Sequence, residues 1–409
     1  MRRNLLIVTG FFILLEFYVY QAFRTVAHHS WMRTGYWVYT FLLYALLVYL
    51  MMNINRDMRD QHRIQLIGSI FLGLVLPKLL VAVFLLVDDL LRLLSYGYSQ
   101  MVNTGTHYPP RRKFLSILGL GAAGVFAGLI FDGIIFGKYR FRARKVRLRF
   151  KNLPDAFEGY RIVQISDVHS GSFFHPEKLQ RAIDLINRQK ADLILFTGDM
   201  VNNYAEEFQP FIPLFQSITA KDGKFSVLGN HDYGIYALPT EAEQQLNVLK
   251  MKKMEEEAGF TMLRNEHVQI EKNGSLFYLI GVENWGEKPF PQYGDLDKAT
   301  EGIPASAFKI LMSHDPTHFD RIVKFHPSDV QLTLSGHTHG MQFGIDLKNC
   351  KWSPVEYRYP KWIDLYESLG KYLYVNRGFG VIGYPGRVGI DPEITVFELA
   401  KSASGKKLH

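Results

Sequence analysis

The 409-residue sequence predicts an all-α membrane region followed by an α/β domain. Long apolar runs occur only before residue 138, whereas beyond residue 140 short runs rich in β-branched and aromatic residues alternate with helical patterns. Between these parts, residues 138–151 contain eight Lys or Arg and no acid, which alone accounts for the formal net charge of +8. We therefore expect a transmembrane region at 1–137 and a second domain at 138–409.

Four apolar runs are each long enough to cross a bilayer. They occupy residues 4–23, 35–54, 64–94 and 114–137 and contain few charged residues. About 20 apolar residues, at a rise of ~1.5 Å each, cross a hydrocarbon core of ~30 Å. Buried helices of a soluble protein are the alternative, but such helices seldom run this long without interruption. We expect about four transmembrane helices.

The second domain contains nine runs with the composition of strands. These runs are 146–150, 161–166, 192–197, 224–228, 277–282, 308–313, 330–335, 372–376 and 394–399. Apolar residues recur with a helical period in 176–188, and the Glu- and Lys-rich residues 240–258 are typical of a surface helix. Residues 284–305 hold several Gly and Pro and are expected to form a loop.

Five short polar strings each follow a predicted strand. They are Asp167-Val168-His169, Gly198-Asp199, Gly229-Asn230-His231-Asp232, His314 and Gly336-His337-Thr338-His339. Side chains just past the carboxyl ends of strands meet at one rim of a sheet, so these strings are expected to converge. Carboxylate, carboxamide and imidazole donors suit Mn, Fe or Zn, and one bridging carboxylate can hold two ions ~3.5–4 Å apart. The residues therefore predict a two-metal site for hydrolysis of a phosphate ester.

The strings resemble the motifs of the calcineurin-like metallophosphoesterases, over about residues 145–400. D-x-H, GD, GNHD and GHxH occur in that order, and NLPDAFEGYRIVQISDVHSG and VNRGFG are similar to a bacterial, membrane-associated subgroup. The resemblance implies a β-sandwich flanked by helices, two divalent ions (Mn, Fe or Zn), and hydrolysis of phosphate ester or pyrophosphate bonds. One departure is Met341 after Gly340, where family members often have a second glycine.

The resemblance also implies roles for individual residues. The metal ligands would form two groups that share one carboxylate: Asp167, His169 and His339 for the first ion, Asn230, His314 and His337 for the second, and Asp199 as the bridge. His231, between Asn230 and Asp232, would face the scissile phosphate and protonate or stabilise the leaving group. Asp232 would orient a neighbouring histidine.

Several residues outside the strings also carry expectations. Arg377 and Arg387 lie in Gly-rich turns and could reach a phosphate. Cys350 is the single cysteine, which excludes an internal disulfide, and it is expected to be a packing residue. Asp88 and Asp89, near the end of the third apolar run, are expected at the membrane interface.

Two signals disagree on the side of the membrane. Arg111-Arg112-Lys113 and the apolar run after it resemble a twin-arginine export signal, although an internal one. The positions of other basic residues disagree with export, because cytoplasmic segments carry an excess of Lys and Arg. Four spans with both ends in the cytoplasm would place there Arg2, Arg3, Arg56, Arg59, Arg63 and the basic residues of 138–151. A domain exported already folded need not follow the charge rule, so we expect the catalytic domain outside the cytoplasm.

Together these features predict a membrane-anchored phosphohydrolase that acts on a lipid-linked or cell-envelope phosphate. Residues 138–151 would meet anionic headgroups, at about 1 kcal/mol per charge. A nucleotide-sugar-lipid pyrophosphatase is the sharper form of this prediction. A membrane scaffold or sensor that binds phosphate ligands without turnover is one alternative, but such a module has no need of His231. A nuclease is another, because residues 351–362 are aromatic and basic; nucleic acid is otherwise not an expected partner.

Overall fold

The structure, a computed structural model, describes most of the chain: residues 2–54, 61–102 and 109–402. Arg56 and Arg59, which entered the charge argument, lie outside the described residues. The chain divides into two compact units, the first ending at Ile135 and the second beginning at Phe136.

The first unit is helical and supplies the predicted membrane region. Its helices are α1 (Arg2–Val26), α2 (Ser30–Met52), α3 (Gln61–Ile70), α4 (Leu76–Val102) and α5 (Pro109–Ile135). A π-helical turn joins α3 to α4, so among the described residues four segments are long and apolar enough to span a membrane: Ile7–Val26, Ser30–Met52, Arg63–Tyr98 and Arg111–Tyr139. The prediction of four spans is confirmed.

Charged side chains inside the first unit are paired. The carboxylate of Glu16 on α1 accepts hydrogen bonds from Lys78 Nζ at 2.6 Å, from Tyr44 Oη at 2.8 Å and from Tyr36 Oη at 2.8 Å. An unpaired charge at this depth would be costly in hydrocarbon, and pairing offsets that cost. The cluster therefore ties α1, α2 and α4 together.

A second charged cluster joins α4 to α5. Asp88 is fully buried and lies 2.9 Å from the Nε atoms of both Arg92 and Arg111. Arg112 Nη1 lies 2.6 Å from Asp89 Oδ1. Both arginines of the export-like string are thus held by carboxylates of the preceding helix.

The second unit is a sandwich of two six-stranded sheets, as expected. The first sheet has the order β1-β14-β2-β3-β4-β5 and the second the order β12-β13-β9-β8-β7-β6. The strands of the first sheet are β1 (Arg142–Phe150), β2 (Arg161–Ile165), β3 (Leu193–Phe196), β4 (Lys224–Ser226), β5 (Thr261–Met262) and β14 (Glu393–Lys401). Those of the second are β6 (Glu266–Lys272), β7 (Ser275–Gly281), β8 (Lys309–Met312), β9 (Leu332–Ser335), β12 (Asp364–Ser368) and β13 (Lys371–Val375).

Helices cover both outer faces of the sandwich. They are α6 (Gln180–Arg188), α7 (Ile212–Gln216) and α8 (Glu241–Glu257) on the first sheet, and α9 (Leu296–Thr300) and α10 (Thr317–Arg321) on the second. Ile162 of the first sheet and Ile310 of the second belong to the core between the sheets. Thr240 and Glu243 form a reciprocal capping box that begins α8.

A separate two-stranded hairpin, β10 (Ile345–Leu347) and β11 (Cys350–Trp352), follows the last motif. Cys350 lies exposed on this hairpin, so the expectation that it packs in a core is wrong. The predicted loop at 284–305 is mostly irregular but contains α9.

Candidate metal centre

The polar strings converge because of the strand order. Strands β2, β3 and β4 are parallel neighbours in the first sheet, and β7, β8 and β9 are parallel neighbours in the second. Their carboxyl ends therefore meet at one rim of the sandwich. Each sheet supplies part of the donor set: Asp167, His169, Asp199 and Asn230 from the first, and His314, His337 and His339 from the second.

One group of donors contains Asp167, His169 and His339, all buried and with ligand atoms within 4.8 Å of one another. His339 Nε2 lies 3.2 Å from Asp167 Oδ1 and 3.0 Å from His169 Nε2. Two imidazole nitrogens bound to one ion at ~2.1 Å would lie about 3 Å apart. The group therefore has the spacing of ligands that share an ion.

A second group contains Asp199, His314 and His337, again within 4.8 Å. His314 Nε2 lies 3.1 Å from Asp199 Oδ2 and 3.3 Å from His337 Nδ1. The carboxamide oxygen of Asn230 lies 2.9 Å from His337 Nδ1, which adds a neutral oxygen donor. This mixture of oxygen and nitrogen donors fits a divalent transition ion.

The carboxylate of Asp199 lies between the two groups. Its Oδ2 atom is 3.6 Å from His169 Nε2 in the first group and 3.1 Å from His314 Nε2 in the second. Its Oδ1 atom accepts the backbone N–H of His231 at 2.8 Å. One oxygen thus faces both donor groups, while the other is occupied by the backbone.

Hydrogen bonds set which ring nitrogen His314 and His337 direct into the site. His314 Nδ1 lies 2.7 Å from Thr197 O and so donates to it, which leaves the lone pair of Nε2, beside Asp199, available to an ion. His337 Nε2 lies 2.8 Å from Tyr359 Oη, which leaves Nδ1 toward Asn230. Such outer contacts orient imidazole ligands in metal sites.

His231 is placed differently from the histidines of the two groups. Its Nδ1 lies 2.7 Å from Asn202 O, so the ring donates there and Nε2 remains free. The residue is half-buried, and its ring centroid lies 5.0 Å from that of His169 and 4.6 Å from that of Tyr236. The ring therefore lies beside the metal groups without belonging to either.

Two tyrosines complete the surroundings, and sequence reasoning missed both. Tyr236 Oη accepts a hydrogen bond from Asn230 Nδ2 at 2.9 Å, and Tyr359 Oη lies 2.8 Å from His337 Nε2. Both lie in loops with no periodic pattern. The proximity of Tyr236 to the GNHD string was the one available signal, and for Tyr359 there was none.

Asp232 corrects one expectation. Its carboxylate accepts backbone N–H groups of Asp199, Met200 and Gly229, each at 2.8 Å. Its hydrogen-bond partners are backbone amides rather than a histidine ring, so the expectation that it orients a histidine is wrong. It instead holds together the loops that carry Asp199 and Asn230.

The electrostatics of the centre suit cation binding. Burial on its own would raise the pKa of Asp167 and Asp199, but the neighbouring histidines outweigh it and hold both values below the ordinary range. Burial lowers the pKa of His169 and of His337. Burial would also lower the pKa of His314, but Asp199 raises it to about 10. The carboxylates are thus ionised and two imidazoles neutral, as metal binding requires, and an ion at His314 would displace a proton.

The backbone of the centre is held in an unusual conformation. The left-handed region is occupied by five donor residues: Asp167 (φ 54°), His169 (46°), Asp199 (60°), His337 (72°) and His339 (52°). This conformation is uncommon for residues other than glycine and is found where the surrounding structure enforces it, often at functional sites. It turns each of these side chains away from its strand direction and into the rim.

Arg377 is buried in an ion-pair network, so the expectation that it could reach a phosphate is wrong. It lies 2.6 Å from Glu393 Oε2, 2.7 Å from Asp364 Oδ2 and 3.1 Å from Asp346 Oδ2. Arg387 is likewise buried and donates to backbone carbonyls, at 2.6 Å to that of Gly380. Both arginines support the loops behind the centre.

Replacing Arg377 by methionine is expected to destabilise the second unit by about 3–5 kcal/mol, because buried Glu393 would lose the guanidinium group that lies 2.6 Å from its Oε2 atom. Thermal unfolding of the purified chain should show a midpoint lowered by roughly 10 °C. The matched control is Arg142→Met, since Arg142 is 64% exposed and pairs with Asp391 at the surface; its effect should stay within about 1 kcal/mol. Equal midpoints for the two variants would show that the network contributes nothing.

Two models of protein families match this chain. The model “Probable Calcineurin-like phosphoesterase, transmembrane domain” matches residues 1–138, and the model “Calcineurin-like phosphoesterase” matches residues 160–341. “Uncharacterized metallophosphoesterase YkuE” of Bacillus subtilis is 33% identical over 298 residues, which are 71% of this chain and 97% of that protein.

Two further relatives are more distant. A “Transmembrane protein with metallophosphoesterase domain” of Danio rerio is 27% identical over 258 residues, covering 61% of this chain and 55% of the relative. An “Uncharacterized metallophosphoesterase” of Aquifex aeolicus is 26% identical over 261 residues, covering 63% of this chain and 91% of the relative. The chain spans about half of the Danio rerio protein and nearly all of the other two.

Proposed function

Because the chain belongs to the calcineurin-like metallophosphoesterases, a family of phosphoesterase hydrolases, we propose that it is a two-metal enzyme acting on a lipid-linked phosphate ester or pyrophosphate. The observation that carries the proposal is the Asp199 Oδ2 atom, which faces both donor groups. In this proposal the transmembrane region at 1–137 anchors the metallophosphoesterase domain at 138–409.

The donor set supports two divalent ions. Asp167, His169 and His339 would hold the first ion, Asn230, His314 and His337 the second, and Asp199 both. When bound, two such ions supply a water of lowered pKa for in-line attack and offset charge on the phosphoryl oxygens. The mixed carboxylate, carboxamide and imidazole ligands favour Mn, Fe or Zn over Mg or Ca.

His231 is proposed as the group that donates a proton to the leaving oxygen. Because Nδ1 donates to Asn202 O, the free Nε2 can carry a proton to an alkoxide or phosphate that departs. Its backbone N–H also binds Asp199 Oδ1, which keeps the ring beside the bridging carboxylate. A sensor that only binds phosphate would have no use for this arrangement, which supports an enzyme.

Membrane association and basic charge support a lipid-linked substrate, with a nucleotide-sugar-lipid pyrophosphate as its sharper form. The chain carries four candidate spans, and β1 exposes Arg142, Lys145, Arg147 and Arg149 to solvent. Anionic headgroups and phosphate substrates are both attracted to such a strand. The nuclease alternative stays open, because Tyr359 and Trp362 of the aromatic stretch are buried but Trp352 and Tyr357 are exposed.

The test is metal-dependent hydrolysis by the purified full chain. The panel would hold p-nitrophenyl phosphate, its diester, a UDP-linked pyrophosphate and phosphatidic acid in mixed micelles, each with Mn²⁺. Activity should appear with the metal, disappear with a chelator and be lost in Asn230→Ala. Absence of hydrolysis on the whole panel by a chain that binds two ions would contradict the enzyme proposal and favour the sensor.

We also propose a side of the membrane for the catalytic domain: it faces the cytoplasm, and the outside location expected from the arginine string stays the alternative to be tested. The bonds of Arg111 and Arg112 to Asp88 and Asp89 account for those arginines through helix packing. Four spans place both ends of the chain on one side, and the basic residues 138–151 follow the last span, as cytoplasmic segments do.

A reporter fused after His409 tests this orientation. Green fluorescent protein should fluoresce there, whereas alkaline phosphatase, which is active only outside the cytoplasm, should stay inactive. Fusion of the same reporters after Val102, beyond the third span, is the control and should give the opposite result. Active alkaline phosphatase after His409 would reverse the proposed orientation.

A further inference from the structure

The hairpin β10–β11 has an apolar outer face. Ile345 is opposite Trp352, and Leu347 is opposite Cys350, so these four side chains share one face of the hairpin. Ile345 is 42% exposed, Leu347 64% and Trp352 36%, and Cys350 is exposed as well. A contiguous patch of exposed apolar residues on a folded domain is typical of a surface that binds a protein, a membrane or a ligand.

The opposite face of the hairpin is anchored to the sandwich. Asp346 forms ion pairs with Arg144 of β1 and with buried Arg377. Lys351 pairs with Asp364 at the start of β12. Because these polar contacts hold the inner face, the hairpin cannot turn over to bury its apolar side.

The hairpin is also built onto the metal centre. The chain leaves the centre at His339, forms the hairpin and returns at Tyr359, whose hydroxyl lies 2.8 Å from His337 Nε2. Ser353 Oγ donates a hydrogen bond to Gly340 O at 2.9 Å, which joins the two ends of the segment that carries the hairpin. Whatever covers the hairpin therefore lies next to the site of phosphate chemistry.

We propose that the apolar face of this hairpin docks on the surface of a lipid bilayer. Leu347 and Trp352 would lie at the boundary between the lipid headgroups and the acyl chains. This inference rests on the proposed function and deepens it, because it assigns the surface that receives the substrate: an amphiphilic phosphate would be taken from the bilayer on which the hairpin docks. A bilayer is always present for this chain, which carries its own candidate spans.

Composition and charge favour a lipid surface as the occupant. Leucine and tryptophan accompanied by lysine are typical of segments at the membrane interface. Lys348 at the tip is exposed and, within the described part of the chain, makes no ion pair. The basic strand β1, whose Arg144 binds the hairpin, adds charge complementary to anionic headgroups.

Cys350 allows a direct test, because it is the only cysteine and lies on the apolar face. A fluorescent label on Cys350 of the full chain in anionic liposomes should be quenched by lipid-attached nitroxide and protected from aqueous iodide. The control is a chain with Cys350→Ser and Leu246→Cys, since Leu246 on α8 is 53% exposed; its label should be quenched by iodide. A Cys350 label that iodide quenches as fully as the control would overturn the proposal.

A second test measures delivery of substrate. In liposomes, Leu347→Asp should lower hydrolysis of phosphatidic acid by about tenfold or more, the factor expected for loss of one buried leucine, and leave p-nitrophenyl phosphate hydrolysis unchanged. Leu246→Asp should change neither activity.

The outcomes separate the docking from the proposed function. Unchanged phosphatidic acid hydrolysis in Leu347→Asp, with normal turnover of p-nitrophenyl phosphate, overturns the docking alone. If neither substrate is hydrolysed, the proposed function fails, and the quenching of the Cys350 label decides the docking. Iodide protection that rises with protein density, without quenching by lipid nitroxide, would identify a second copy of the chain as the occupant and overturn the lipid proposal.

Discussion

Replacing Asp199 by alanine is expected to reduce hydrolysis at least about a thousandfold and to lower the metal content below two ions per chain. The Asp199 Oδ2 atom lies 3.6 Å from His169 Nε2 and 3.1 Å from His314 Nε2, so a single substitution removes a donor from both groups. The pKa of His314 should also fall, because Asp199 is what raises it. The measurements are kcat/KM with Mn²⁺ and ions bound per chain after dialysis.

Asp184→Ala is the matched control, since Asp184 is an exposed carboxylate on α6. It should retain two ions and full activity. An Asp199→Ala chain that still bound two ions with unchanged affinity would show that this carboxylate does not bridge, and the two-metal proposal would lose the observation that carries it.

The second large effect is expected for His231→Ala, which should lower kcat by about 10²–10⁴ while both ions stay bound. The metal donors belong to other side chains, and the backbone N–H of residue 231 that binds Asp199 survives the change. Because the proposed role is proton donation, the loss should be larger for an alkyl phosphate than for p-nitrophenyl phosphate, whose leaving group needs no proton.

The control for this substitution is His175→Ala, because His175 is an exposed histidine that pairs with Glu177 and belongs to none of the motifs. Its kcat should equal that of the unmodified chain on both substrates. An equal loss on the alkyl and p-nitrophenyl esters in His231→Ala would contradict proton donation, and loss of an ion would assign His231 to the metal ligands instead.

Sequence patterns predicted the elements that bury apolar residues. All nine predicted strands are present, because a buried strand such as β3 needs a continuous apolar run. The strands that were missed are short or polar: β5 has two residues, and β6, β10, β11 and β12 lie at edges or in the separate hairpin. An edge strand with one solvent-exposed face contains few apolar residues, so composition does not reveal it.

The donor residues of the candidate centre were likewise visible in the sequence, because metal chemistry restricts which side chains can serve. Their surroundings were not visible. Tyr236 and Tyr359 reach Asn230 and His337 from irregular loops, and Asp232 binds backbone amides where a histidine partner was expected. Hydrogen-bond partners depend on which loops fold against each other, and that information is absent from local spacing.

The sequence by itself determined that this protein has four membrane-spanning runs, a sandwich of alternating strands and a set of metal-binding side chains. Hydrophobic runs and the presence of metal-binding side chains are local properties of the chain, so the linear sequence is enough to reveal them. Tertiary structure alone decided that one oxygen of Asp199 faces both donor groups, that the paired arginines bind carboxylates of α4, and that four apolar side chains share the outer face of a hairpin. Each of these depends on strand register or helix packing, which bring together residues far apart in the chain.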